Sequence, residues 1–282
     1  MKKIVSILLV AMLCLGLFAA CAPAATSDPT TTPAATDDTT AAADDTTAAA
    51  ATLTTIEEGK LLMSTNAAFP PYEMTTDDGG FEGIDVEIAT AIAEKLGLEL
   101  EILDMDFDAA LLAVNEGKSD IVMAGVTVNE DRQLVMDFTD SYATGKQVVI
   151  VKEGSDVTMD NLGEKMIGAQ RGTTGYIYAS DTPENGGYGE DHVTAYDNGA
   201  TAVQALINGQ VDCVIIDSAP AAEYVKSNPG LTTLDGEWVL ENYAIGCDKG
   251  NTALVEAINE ALAELIADGT VQQIVDKYIT AE

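Results

Sequence analysis

Positive charge is what this chain has least of. Its 282 residues include 13 lysines and arginines against 47 aspartates and glutamates. Two of the basic and five of the acidic residues precede Ile56, which leaves 11 against 42, a net −31, on residues 56–282. So acidic a chain repels phosphate backbones and anionic headgroups, which argues against nucleic acid and against an anionic membrane surface as partners. Histidine is rarer still. His192 is the only one, and no Cys or His cluster has metal-ligand spacing, so neither a transition metal nor a cofactor is expected. Of four cysteines, Cys14 and Cys21 belong to the N-terminal segment. Cys213 and Cys247 each sit in an apolar, strand-like run and read as buried free thiols, although an oxidising compartment would let them pair.

The first 55 residues lack the means to fold. Lys2 and Lys3 precede the apolar run Ile4 to Ala20, 17 residues long, which is short for a membrane span of about 20. A basic start, an apolar stretch and small residues before Cys21 read as a signal peptide over residues 1–20. "LFAAC" resembles a bacterial lipobox with Phe18 in the usual leucine position, which implies lipidation at Cys21. An uncleaved anchor or a soluble secreted protein is the plainer alternative. Residues 21–55 are almost wholly Ala, Thr, Asp and Pro, with no aromatic and one large aliphatic, Leu53. Such a stretch buries no core and reads as a disordered tether.

From Ile56 onward, short apolar strands alternate with helical patterns, which predicts an α/β architecture. "KLLMST" and "LELEIL" read as strands. "IDVEIATAIAEKLG" reads as a helix capped by Asp85 and stopped by Gly97, and "DFDAALLAVNEG" as another, leading into the strand "SDIVMAG". An internal echo suggests two similar lobes: "LLAVNEGKSDIVMAG" is matched in pattern by "VQALINGQVDCVIID", and "GKLLMSTN" by "GEKMIGAQ". Ligands of open parallel sheets collect beyond the carboxyl ends of the strands. The residues to weigh are therefore Asn66 to Phe69, Gly125 to Arg132, Gln170 to Gly175, and Asp217.

These residues are chemically selective. Arg132 is one of only two arginines, and it falls in the first turn of a helix capped by Asn129. A cation there is mildly disfavoured by the helix dipole unless both face a common anion. "RGTTG", Arg171 to Gly175, is a turn able to aim backbone N–H groups at an anion. Asp217 adds a negative charge and Thr127 a hydroxyl. A cation with N–H donors, set beside an anion with carbonyls, is the complement of an α-amino acid. The plainer readings are surface ion pairing for Arg132, worth about 0–1 kcal/mol, helix capping for Asp217, and turn roles for Thr173 and Thr174.

"TNAAFPPYEM", "GFEGIDVEIATAIAEKLG", "AGVTVNEDRQLVMDFTDSY", "GAQRGTTGY" and "INGQVDCVIID" together resemble the family 3 solute-binding proteins of ABC transporters, polar amino-acid branch. The resemblance covers the chain from Ile56 to Glu282. It implies the type 2 periplasmic-binding-protein fold, two lobes joined by two hinge crossings around a ligand cleft. The crossings are expected near Ala143 to Lys146 and Glu241 to Ala244, so that residues 56–143 and 244–282 form one lobe and 146–241 the other. Arg132 and the N–H groups of Thr127 and of Thr173 or Thr174 would hold the ligand carboxylate. The Gly125 carbonyl, the Thr127 hydroxyl and Asp217 would hold its ammonium. Phe69 and Phe107 match aromatic walls, although both also read as ordinary core, Phe107 equally so. Asn66 and Gln170 match contacts to the ligand's side chain. Many relatives carry an acid where Asn66 stands, which argues against a strongly cationic ligand. Arg171 lies beside these positions, and an acidic ligand would follow if it faced the cleft.

The function so implied is capture of a polar α-amino acid by a monomer, lipid-anchored on the outer face of the cytoplasmic membrane, for an ABC permease and its ATPase. It is not catalysis. A cyclohexadienyl-dehydratase-like enzyme is the alternative on the same fold, but it needs a general acid, and Asp217 is the only acid expected in the cleft. A ligand-sensing subunit of a receptor would share the cleft itself.

Overall fold

The computed structural model describes residues 53–236 and 239–279. The expected signal peptide, Cys21 and nearly all of the tether lie outside them. Among the described residues no helix is long and apolar enough to cross a membrane.

The chain starts with strand β1 (Lys60–Thr65), the small strands β2 (Ala68–Phe69), β3 (Glu73–Thr75) and β4 (Phe81–Glu82), then helix α1 (Ile84–Leu96) and β5 (Glu99–Asp104). Helix α2 (Phe107–Asn115), β6 (Ile121–Val122) and α3 (Glu130–Val135) follow, and α3 runs directly into the 17-residue strand β7 (Met136–Lys152). Next come β8 (Ile167–Gln170), α4 (Thr174–Ser180), β9 (Val193–Tyr196), α5 (Gly199–Ile207), β10 (Cys213–Asp217), α6 (Ser218–Ser227) and β11 (Leu231–Thr233). Strand β12 (Val239–Asp248) and helices α7 (Thr252–Ala267) and α8 (Thr270–Tyr278) complete the described fold.

The main sheet has the order β5-β1-β6-β12-β7-β10-β8-β9, with β11 beside β7. At one end β5, β1 and β6 run parallel, and at the other β10, β8 and β9 do. Between them β7 and β12 pair antiparallel along their length and curl the sheet into two lobes. β7 belongs to both: Cys247 of β12 faces its Asp137, and Cys213 of β10 faces its Val151. In the first lobe α1, α7 and α8 pack on one another, and Ile88, Ile92, Ile258 and Leu262 are buried with Leu61 and Met63 of β1. Each such side chain contributes about 1.5–3 kcal/mol of burial. In the second, Val149, Ile167, Cys213 and Ile215 are buried under α4. Cys213 and Cys247 are buried free thiols, and burial pushes both up to about 12.

Helix α1 corrects one expectation. Its N-cap is Gly83, and Asp85 is its second residue. The first-turn N–H groups of Ile84 and Asp85 are already taken by the carbonyls of Pro71 and Tyr72, so no side-chain cap is required. Asp85 turns inward instead, where its Oδ2 accepts from the Gly125 N–H at 2.9 Å and from the Tyr142 hydroxyl at 2.9 Å. Gly97 stops the helix as expected, in the left-handed conformation at φ 70°.

Candidate functional site

Loops leaving the parallel strands of both lobes converge on one cavity. β1 ends into Asn66, β6 into Ala124 and Gly125, β8 in Gln170 and β10 in Asp217. About 310 Å³ of space is lined by Asn66, Phe69, Glu73, Phe107, Ala124, Gly125, Thr127, Arg132, Gln170, Thr173, Thr174 and Asp217. The ten residues singled out in the sequence therefore surround a single space. Arg171 is not among them. Its side chain is 54% exposed and lies 3.9 Å from Asp197, so it offers no ground for an acidic ligand. His192 does not line the cavity either.

Arg132 is held from three sides. Asn129 caps α3 by accepting from the Arg132 N–H at 2.8 Å. Nη1 donates to the Thr127 carbonyl at 2.8 Å, and Nη2 donates across the cavity to the Gly172 carbonyl at 3.1 Å. The guanidinium lies 5.4 Å from the centre of the Phe107 ring, in cation–π range. It is 7% exposed, and no carboxylate among the described residues pairs with it within 4 Å, which leaves the surface-ion-pair reading without support. Burial lowers its pKa, opposed chiefly by the charge of Glu241. Phe107 serves both readings given for it, since it packs in the core with Val122 and Val126 and lines the cavity.

The anionic side is built on Asp217, also 7% exposed. It stands at the N-cap position of α6 but makes no capping bond. Its Oδ1 accepts from the Tyr243 hydroxyl and its Oδ2 from Gln147 Nε2 at 2.9 Å. Burial pushes its pKa up to about 7 against those two bonds, with Glu241's charge adding to the rise. Gln147 Nε2 also donates to Glu241 Oε2 at 2.9 Å, and the Thr127 hydroxyl donates to the same oxygen at 3.1 Å. Strands β7 and β12 thus supply the side chains that link the two binding edges. Glycine is required twice here. A Cβ on Gly125, at φ 55°, would lie 2.9 Å from Phe69 Cε1, and one on Gly145 would overlap the Tyr243 hydroxyl.

At the opposite end, Gln170 Nε2 donates to Asn66 Oδ1 at 2.9 Å, and Asn66 Nδ2 donates to the Met105 carbonyl at 2.9 Å. Thr173 caps α4, its oxygen accepting from the Tyr176 N–H at 3.3 Å, while its own N–H is spent on the Gln170 carbonyl. Thr174 is the first residue of α4, whose leading N–H groups have no partner within the helix.

Two acids were not foreseen, so Asp217 is not the only one in the cleft. Glu73 lines the cavity and is fully buried, and Glu241 stands one hydrogen bond behind Thr127. The sequence held a signal for Glu241: it is in phase with buried Tyr243, Ile245 and Cys247 along β12. Glu73 has no such mark, being one acid among 47 in a short loop-bound strand.

Two α/β lobes whose strand ends enclose a small cavity, with a buried cation on one wall and a buried carboxylate on another, define a receptor for a small zwitterionic solute. Residues 61–281 match the family of bacterial extracellular solute-binding proteins, family 3, and the chain belongs to that family. It is 34% identical over 226 residues to a probable histidine-binding protein of Neisseria gonorrhoeae, spanning 78% of this chain and 83% of that one. It is 30% identical over 228 residues to an L-cystine-binding protein of Escherichia coli, spanning 79% and 84%. Among solved structures, the arginine-, lysine-, histidine-binding protein of Geobacillus stearothermophilus superposes with a TM-score of 0.73 at 32% identity, over 79% of this chain and 96% of that one.

Proposed function

We propose that this protein is the amino-acid-binding component of an ABC importer, and that it captures a polar α-amino acid in this cavity for delivery to a membrane permease. One observation carries the reading: Arg132 and Asp217 are both buried on the walls of the same small cavity. In this reading the Arg132 guanidinium and the N–H groups of Thr127 and Thr174 grip the carboxylate. The Gly125 carbonyl, the Thr127 hydroxyl and Asp217 take the ammonium, with Phe69, Phe107, Asn66 and Gln170 around the side chain. Residues 56–143 with 244–282 form one lobe and 146–241 the other. The paired segment in which Ala143 faces Tyr243 and Lys146 faces Leu240 supports a hinge at that position. A ligand touching both lobes favours the closed form by its differential affinity. Residues 1–20 are read as a signal peptide, and lipidated Cys21 with the tether as a membrane anchor for a monomer.

Catalysis is not favoured. Glu73 removes the argument that the cleft has no spare acid, but the relatives named above are binding proteins. The test is a thermal-shift screen of α-amino acids against their decarboxylated amines. Ligand at 100 times Kd stabilises by about 2.7 kcal/mol, and at about 2–4 °C per kcal/mol that raises Tm by roughly 5–11 °C. At least one polar amino acid gives such a shift and its amine gives little. Arg132→Ala costs about 2–5 kcal/mol of binding and removes most of the shift while the unliganded melt stays cooperative. Equal shifts from acid and amine, or an unchanged response in R132A, defeat the reading.

A further inference from the structure

Glu241 is a buried acid to which the amino-acid reading gives no task. It stands on β12 opposite Gly145 of β7, where the chain is expected to cross between lobes, and it is 5% exposed. Its Oε2 accepts twice, from the Thr127 hydroxyl at 3.1 Å and from Gln147 Nε2 at 2.9 Å, while its Oε1 is buried without a hydrogen-bond partner. Gln147 Nε2 goes on to Asp217 Oδ2 at 2.9 Å. A continuous chain of hydrogen bonds, Thr127 to Glu241 to Gln147 to Asp217, thus joins the two side chains that the reading assigns to the ligand's ammonium. Thr127 and Asp217 line the cavity, and Glu241 and Gln147 lie behind them.

The polarity of this chain follows from its one acid in the middle. An ammonium offers only donors, so the side chains around it must present acceptors. A hydroxyl presents either its proton or its lone pairs to a ligand, according to what else takes the proton. At Thr127 that group is Glu241. A carboxylate has no proton to return, so the hydroxyl proton is held toward Glu241 and lone pairs are left for the cavity. Gln147 is turned the same way, its amide nitrogen donating to both carboxylates, and the Tyr243 hydroxyl donates to Asp217 from behind. A glutamine at position 241 would meet the same two donors, but it could also turn its amide nitrogen to Thr127 and reverse the hydroxyl. Burying a carboxylate with one oxygen unsatisfied is costly, and a fixed polarity is what the carboxylate supplies that an amide does not. Its charge reaches the other wall as well, where it is the largest of those that oppose the lowering of the Arg132 pKa by burial.

We propose that Glu241 is a positioning residue for amino-acid recognition: it fixes the Thr127 hydroxyl as an acceptor, and so makes the cavity prefer an α-amino acid to the same carboxylic acid without its amino group. Glu241 acts on the ligand through Thr127. Asp217 keeps its bonds from Gln147 and Tyr243 whether or not Glu241 is present, so the effect runs through the hydroxyl. The inference rests on the α-amino-acid reading and deepens it by naming what sets the polarity of the ammonium site.

The test is a double-mutant cycle, with Kd values from calorimetry for the intact protein, Glu241→Leu, Thr127→Val and the pair. The probes are L-glutamine, L-histidine and L-arginine, each beside the acid that lacks its α-amino group. Measurement at pH 8, above the value of about 7 to which burial raises Asp217, keeps that carboxylate mostly ionised. Loss of a hydrogen bond to a charged group predicts that E241L weakens amino-acid binding by at least about tenfold. In the Thr127→Val background the same change costs no more than about threefold, because the hydroxyl it acts on is gone. The acid without an amino group binds E241L at least as tightly as the intact protein, since it makes no ammonium contact and one charge opposing its carboxylate has been removed; that result also shows that the variant is folded. An unchanged amino-acid affinity in E241L, a loss that is the same with and without the hydroxyl, or an equal loss for the amino acid and its counterpart overturns the proposal and leaves the amino-acid reading intact. If none of the amino acids binds the intact protein, the reading falls and the proposal with it.

Discussion

Asp217 shows how far one buried side chain ties stability to binding. Burial raises its pKa to about 7 from an ordinary carboxylate value near 3.8. The folded, unliganded protein therefore holds a proton between about pH 4 and pH 7 that the unfolded chain has lost, so stability falls as pH rises through that window. Asp85, pushed up to about 6 by burial, acts in the same direction. Ligand binding has the opposite sign, because an ammonium prefers the ionised carboxylate. Affinity for an amino acid with an uncharged side chain is expected to fall about tenfold from pH 8 to pH 6, the fraction of ionised Asp217 setting the slope. Calorimetry over that range checks it, and Asp217→Asn should bind more weakly with the slope gone. An unchanged slope in D217N places the titrating group elsewhere. Arg132 and Asp217 were legible in the sequence because contrast marked them, one a scarce cation behind a cap, the other an acid ending an apolar strand. Glu73 lacked contrast. It lines the cavity only because the short strand β3 is folded in beneath it, and no local pattern announces that.

At the level of elements, the pair formed by β7 and β12 carries most of the design. Strand "KLLMST" lies where its apolar pattern put it, at Lys60–Thr65, and "DFDAALLAVNEG" contains α2, Phe107–Asn115. By contrast, "SDIVMAG" yields only the two-residue strand β6, since the chain leaves the sheet early to form the Gly125 loop. The 17-residue length of β7 was not legible either. Its alternation is broken by Thr139, Asp140, Ser141, Thr144 and Gly145, and it is held extended by Tyr243 and its neighbours on β12 rather than by its own propensity. Gly145 tests this arrangement. A Cβ there would overlap the Tyr243 hydroxyl and lie 2.9 Å from Asp217 Oδ1. Gly145→Ala is expected to destabilise by about 1–3 kcal/mol through overpacking. It should also weaken amino-acid binding, because the Tyr243 bond that orients Asp217 is displaced. Melting curves and calorimetry on the same sample check both effects, and loss of stability with unaltered affinity would detach Tyr243 from the site.

For the molecule as a whole, the question is what holds the lobes together besides a ligand. Hydrogen bonds that join them include Arg132 Nη2 to the Gly172 carbonyl at 3.1 Å, Gln170 Nε2 to Asn66 Oδ1 at 2.9 Å, and the Tyr224 hydroxyl to the Ala68 carbonyl at 3.1 Å, besides the bond from Thr127 to Glu241 at the hinge. The first two involve side chains of the cavity wall, so changing them alters recognition and closure together. Tyr224 is different. It projects from α6 to β2 without lining the cavity, so it reports on closure alone. A net hydrogen bond is worth about 0.5–1.5 kcal/mol, and removing one present only in the closed form should shift the open–closed balance by that amount. Tyr224→Phe is therefore expected to weaken every amino-acid ligand by the same factor, about 2- to 12-fold, whatever its side chain. The loss should appear mainly in the dissociation rate, since a complex with a weaker clasp reopens sooner. Stopped-flow kinetics with two ligands of different affinity distinguish the outcomes. A common factor in koff identifies a clasp between lobes, whereas a ligand-dependent factor would mean that Tyr224 shapes the pocket after all. The internal echo in the sequence gave reason to expect two facing lobes, but a contact between residues 156 positions apart becomes visible only when β7 and β12 have folded one lobe over the other.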